Sequence, residues 1–261
     1  MMNLPIMPDL PTEYIRYLND NENHIILDER IFIKKLFAGE YNIDVLQQLN
    51  SLKIPNYNAP SKLFIDESNT YLYVASKYLK GYQNLFSYLK NCSTKEKLLL
   101  YKKLLTSLKE AHENDFIPYD IAFRNYLVSE DKQPIFIDFD ISLYKNKSTW
   151  LMLKRTLFSL KEFSKDSSDL SKENLVLNDK MLVLNMLLTS LCPPAYYIMT
   201  LSLREIMFQY KDLLSKYELD PGIKEYLSDI ILGKMAPHQD DYFIENLIDP
   251  LIEKEPVLKK L

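Results

Sequence analysis

The apolar periodicity of this chain changes once, close to Gly81, and that change restricts the fold more than any other feature. Before it, apolar and β-branched residues fall in short runs, "TEYIRYL", "HIIL" and "RIFIKKLF". The polar segment Asn19–Asn23 and the pair Asp28-Glu29 break them, a pattern of short strands and turns. Extended runs recur at Lys62–Ile65 and Tyr71–Ser76, and between them Ile43, Leu46, Leu49 and Leu52 repeat at the spacing of a short helix. After Gly81, Ser93-Thr94-Lys95-Glu96 forms a capping-box pattern. It opens a long helix with Leu98, Tyr101, Leu105, Leu108 and His112 on one face. Strands Tyr126–Val128 and Pro134–Ile137 bracket a turn at Ser129–Lys132. "KDSSDLSKEN" reads as a loop, and Asn178-Asp179 as the start of a buried helix over the apolar run Met181–Leu191. A further helical stripe runs from Met199 to Tyr217. The expectation is an α+β chain with two unequal lobes, a β-rich one over residues 1–79 and a mainly helical one over 80–261.

Composition narrows the function. The net charge of −4 is spread along the chain and leaves no basic footprint for nucleic acid. Cys92 and Cys192 have no metal-ligand spacing and suit a reduced, cytoplasmic setting. The start "MMNLPIMPDLPTEY" lacks the basic and apolar regions of a signal peptide. The run Met181–Leu191 is too short to span a bilayer, so no membrane insertion is expected. Oligomeric state leaves no mark in the sequence.

The chemistry is concentrated between Glu110 and Ser142. Asp120 precedes Asn125 by five residues, and Asp138 follows on a short apolar strand. Phosphoryl transfer needs a carboxylate to orient and deprotonate the acceptor hydroxyl, and hard oxygen ligands to hold magnesium against phosphates. Asp120, Asn125 and Asp138 are the right types in the right order.

With these residues in view, the chain resembles the protein-kinase superfamily. "IPYDIAFRNYLV" is similar to the catalytic loop, and "IFIDFD" to the strand ending in Asp-Phe-Gly. Ala111-His112 looks like the pair that closes the helix before the loop. The resemblance implies a bilobal protein-kinase-like fold and an ATP-dependent phosphotransferase acting on a protein hydroxyl, with ATP and Mg2+ as cofactors. Asp120 would be the base, and Asn125 and Asp138 the magnesium ligands. Arg124 matches the arginine of the tyrosine-kinase loop and would face the transferring group, or pair with Glu130 or Asp131 on the surface. "IFIKKL" is similar to the lysine-bearing strand, which assigns Lys34 to the α- and β-phosphates with Lys35 as its competitor. Ser76 would stand at the gatekeeper position, with Lys77 and Leu79 offering backbone groups to adenine. Phe139 would pack under the helix after the lysine strand. Asp179 would tie down the catalytic loop, or serve as an ordinary N-cap.

The chain also departs from the family. Pro118 and Tyr119 replace the loop histidine and arginine, and Asp140 replaces the glycine of Asp-Phe-Gly, where its charge could add a metal ligand. No glycine lies in Asn19–Asn23, where a phosphate-covering loop belongs. The helix glutamate that partners the lysine has only Glu40, Asn42 or Asp44 as candidates. These departures keep two alternatives in view: a pseudokinase acting as a scaffold, and a small-molecule kinase of the aminoglycoside or choline kinase type.

Overall fold

A computed structural model describes residues 23–66, 68–151, 171–191, 217–218, 221–231, 241–254 and 257–258. Strands β1 (His24–Leu27), β2 (Ile31–Phe37), β3 (Lys62–Ile65) and β4 (Tyr71–Lys77) form an antiparallel sheet in the order β1-β2-β4-β3. The β1–β2 turn is made by Asp28 and Glu29, both in left-handed backbone (φ +48° and +53°), and the Arg30 N–H donates to the Leu27 carbonyl to close it. Alternation sorts β2 onto two faces. Ile33 packs with Tyr73 and Ala75 on one side, while Leu36 joins the main core on the other.

Helix α1 (Ile43–Leu49) crosses from β2 to β3 and buries Val45, Leu46 and Leu49. The Asn42 side chain accepts from the Val45 N–H at its start. The "TEYIRYL" strand and the Met199–Tyr217 stripe lie outside the described residues, except for Tyr217.

Beyond β4 the chain is mainly helical. After the short β5 (Gln83–Asn84) and α2 (Leu85–Leu89), helix α3 runs from Thr94 to Glu113. Its capping box is complete: the Glu96 N–H donates to Ser93 Oγ at 3.2 Å, and the Ser93 N–H to Glu96 Oε2 at 3.0 Å. All five residues of the expected stripe are buried. Short pieces follow: β6 (Phe116–Ile117), β7 (Tyr126–Val128), β8 (Pro134–Phe136), β9 (Leu143–Tyr144) and β10 (Lys147–Ser148).

Helix α4 (Lys172–Leu191) corrects the expected helix start. It opens at Ser171, whose Oγ accepts from the Asn174 N–H and whose carbonyl accepts from the Leu175 N–H. Asn178 and Asp179 therefore lie well inside the helix and are fully buried, not an N-cap. The last residues of "KDSSDLSKEN" belong to this helix, because Ser171 is the better cap. One apolar cluster joins α1, β3 and β4 to α3, α4 and the segment around Leu247. Among the described residues no helix is long and apolar enough to cross a membrane.

Candidate active site

A cleft lies between the sheet and the two segments that flank the β7–β8 hairpin. Lys34, Arg124, Asn125, Asp138 and Asp140 all line it. Their convergence is a product of register. On β2, Lys34 shares a face with Phe32, which also lines the cleft, while Lys35 faces the other way and lays its ammonium 4.7 Å from the centre of the Tyr71 ring. The structure thus separates the two lysines that the sequence left in competition.

Lys34 Nζ lies 3.5 Å from Asp138 Oδ1, although the two are 104 residues apart, and bonds Asp140 Oδ2 more closely. None of the three acids or amides expected as its partner does this. Glu40 and Asp44 are exposed, and Asn42 is spent on capping α1. Burial works to lower the Lys34 pKa, but Asp140 and then Asp138 outweigh it, and the net direction is upward. Burial, and then the Asp138 charge, push Asp140 up to about 6 against the pull of Lys34. The two directions look opposed for one contact. They agree once the charges are counted: a single ammonium gains from two carboxylates, and each carboxylate gains only part of an ammonium.

The loop before β7 carries the other half. Arg124 donates from one guanidinium nitrogen to both Asp120 oxygens, at 3.0 and 2.7 Å. Its partner is therefore Asp120, not Glu130 or Asp131. Buried Asn125 donates from Nδ2 to the Asp120 carbonyl (2.7 Å) and to Oδ2 (3.0 Å). The Asp120 N–H donates to the Pro118 carbonyl, so the chain makes a three-residue turn around Tyr119, whose φ is +61°. Such a turn is strained in a residue with a side chain. Asp179 Oδ2 accepts from the Tyr119 N–H at 3.3 Å and sits 3.1 Å from His112 Nε2. His112 Nδ1 in turn lies 2.9 Å from the Tyr242 hydroxyl. Burial raises the Asp179 pKa, opposed by His112 and the Tyr119 N–H.

No protein-family model matches the sequence, and no curated protein matches it. Among solved structures, the PK-1 kinase of Cydia pomonella granulovirus is similar, with a TM-score of 0.58 at 14% identity. The match covers 91% of this chain and 99% of that one. The fold is kinase-like. It is bilobal, with the β-rich sheet region N-terminal and the helix-rich region C-terminal. At this identity the likeness carries the fold alone.

Within this kinase-like cleft, Phe139 is buried against Tyr57, Phe116 and Phe136 and shares the main core with Leu46 and Leu49 of α1. Ser76 lines the cleft, whereas Lys77 and Leu79 do not. Lys77 is exposed, and its carbonyl accepts from Asn58 Nδ2 at 2.9 Å. The Leu79 carbonyl accepts from the Tyr82 N–H. A backbone carbonyl has a second lone pair, so Lys77 retains one for a ligand.

A magnesium ion fits the donor set only in part. Among the described residues no three His, Cys, Asp or Glu side chains gather as a metal site. Asp138 and Asn125 are hard oxygen ligands of the kind magnesium takes in small number, its remaining positions going to phosphate and water. Sequence reasoning missed the Lys34–Asp140 contact and the role of Tyr242. The first had a signal, since Asp138 and Asp140 are two apart at the end of a strand; the second had none.

Proposed function

We propose that this chain is an ATP-dependent phosphotransferase of protein-kinase type, acting on the hydroxyl of a protein substrate. ATP, with magnesium on its phosphates, would supply the transferable phosphoryl group. Asp120 would take the acceptor proton: Arg124 donates to both of its oxygens and Asn125 to Oδ2, which leaves a lone pair on Oδ1 for a hydroxyl. Asn125 and Asp138 would hold the metal, and Lys34 the α- and β-phosphates. Arg124 places a second cation beside Asp120, where charge on the transferring group has to be met. Adenine would meet β4 at Ser76, which lines the cleft, with the Lys77 and Leu79 backbone close to it in sequence but outside the lining. In this reading residues 1–79 and 80–261 act as two lobes closing on the nucleotide.

The observation that supports it best is the meeting of Lys34, Arg124, Asn125 and Asp138 in one cleft, with Asp120 bonded to two of them. Structural needs alone give no reason for that grouping. A scaffold reading draws on one specific feature, the apolar Leu46 where α1 faces the cleft.

The test is Asp120→Asn. It should bind Mg-ATP as the parent does, with a stabilisation of about 2.7 kcal/mol at a hundredfold excess over Kd. Phosphate transfer should fall by roughly a hundredfold to ten-thousandfold. A parent that binds Mg-ATP but shows no transfer for Asp120→Asn to reduce would favour the scaffold.

A further inference from the structure

A lysine set against nucleotide phosphates must be held in place, and the helix that follows its strand has no acid to do so. The residue of α1 that lines the cleft is Leu46, and Asp44 is exposed. Asp140 stands where a glycine would give backbone freedom, and it is mounted with unusual firmness. Its N–H donates to Asp138 Oδ1 at 3.2 Å, and its carbonyl accepts from Thr149 Oγ1 at 2.8 Å. Thr149 is itself buried, and its hydroxyl accepts from the Ser142 N–H at 2.9 Å. The Asp140 side chain is only 18% exposed, and it bonds Lys34 more closely than Asp138 does.

We propose that Asp140 is the positioning residue of Lys34. It holds the ammonium beside Asp138 and takes the place of an acid on α1. The lysine is therefore set by the segment that carries Asp138, and its placement needs no swing of α1. The same segment also fixes the start of that helix: the Asn42 N–H donates to the Thr149 carbonyl at 2.7 Å, and the Leu151 N–H to the Glu40 carbonyl at 2.8 Å. Displacement of α1 would therefore not by itself remove the acid that holds the lysine. The purpose of the contact rests on the phosphotransferase reading; the contact itself does not.

The test is a double-mutant cycle on the nucleotide-free protein near neutral pH. Lys34→Met and Asp140→Asn are made singly and together, and urea unfolding is measured. The effect of Asp140→Asn on the unfolding equilibrium should differ about tenfold between the parent and the Lys34→Met background. Asp44→Asn and Glu40→Gln should show no such coupling to Lys34. In a second arm, Asp140→Asn should weaken Mg-ATP binding by about tenfold, Asp140→Glu should recover part of it, and the loss should vanish in the Lys34→Met background. Additive effects of Lys34→Met and Asp140→Asn would overturn the proposal, as would coupling of Lys34 to Asp44 or Glu40 in its place. Unchanged Mg-ATP affinity in Asp140→Asn would overturn it as well. A parent that binds no Mg-ATP sinks the phosphotransferase reading, and the nucleotide-free cycle then decides alone whether Asp140 holds Lys34.

Discussion

Asp140 should leave a signature in the pH dependence of stability. Burial and the charge of Asp138 lift it from its ordinary 3.8 to about 6, with Lys34 pulling the other way. The folded state therefore binds this proton more tightly than the unfolded chain. A raised carboxyl contributes stability that is fully present below about pH 4 and is lost as pH rises through about 6. A shift of that size corresponds to about 3 kcal/mol. The figure is an upper one, because the Asp140 side chain is still 18% exposed and solvent screens its charge. The assay is urea unfolding of the nucleotide-free protein at intervals from about pH 4 to pH 7, for the parent and Asp140→Asn. Carboxylates remote from Asp140 contribute equally to both proteins, so the difference between the two curves reports Asp140 together with its coupling to its immediate neighbours. The parent should lose about 3 kcal/mol relative to the variant across that range. Parallel curves would refute the reasoning, and would mean that the Asp140 carboxylate is better solvated or better paired than its position implies.

Other expectations are quickly tested. Lys34→Ala should weaken Mg-ATP binding and Lys35→Ala should not, since the Lys35 ammonium sits over Tyr71 outside the cleft; nucleotide titration ranks them. Asp138→Asn should abolish the magnesium dependence of nucleotide binding while leaving the far-UV circular dichroism unchanged, because an amide has the volume of the carboxylate without its charge. Ser93→Ala breaks a complete capping box on α3 and should cost about 1 kcal/mol in chemical denaturation, with no effect on nucleotide affinity.

The legible part of this chain was the part with a local cause. The α3 start could be read because its cap is four consecutive residues, and the buried stripe that follows obeys the helical period. The β1–β2 turn was likewise readable from Asp28-Glu29. The α4 start lies at Ser171 and not at Asn178-Asp179, because those two have the chemistry of a cap and only packing reveals that they are wanted inside. At the site, the order Asp120, Asn125, Asp138 could be read from spacing. The choice between Lys34 and Lys35 could not, since adjacent strand residues differ only in which face the sheet turns to the cleft. The partner of Lys34 was expected at the neighbouring helix and lies instead after β8. A contact over more than a hundred residues of sequence leaves no periodicity to find.

Pro118 and Tyr119, ahead of Asp120, become intelligible through strain. Asp120 follows a left-handed residue, a conformation that costs on the order of 1–3 kcal/mol and persists only if its surroundings impose it. Proline at 118 fixes one backbone angle and has no N–H to satisfy, which lowers the freedom lost in forming the turn. The half-buried Tyr119 N–H donates to Asp179. Asp179 is itself wholly buried, which is tolerable only because His112 and the Tyr119 N–H share its charge. His112 is held from its other nitrogen by Tyr242, near the segment that packs against α3. The backbone just before Asp120 is thus held by a chain of contacts through Asp179 on α4, His112 on α3 and Tyr242, none of which lines the cleft. A loop supported from behind in this way has no need of a contact on its solvent side to hold its shape. That support from behind accounts for Asp120, Arg124 and Asn125 being presented together with a tyrosine, and no arginine, before Asp120.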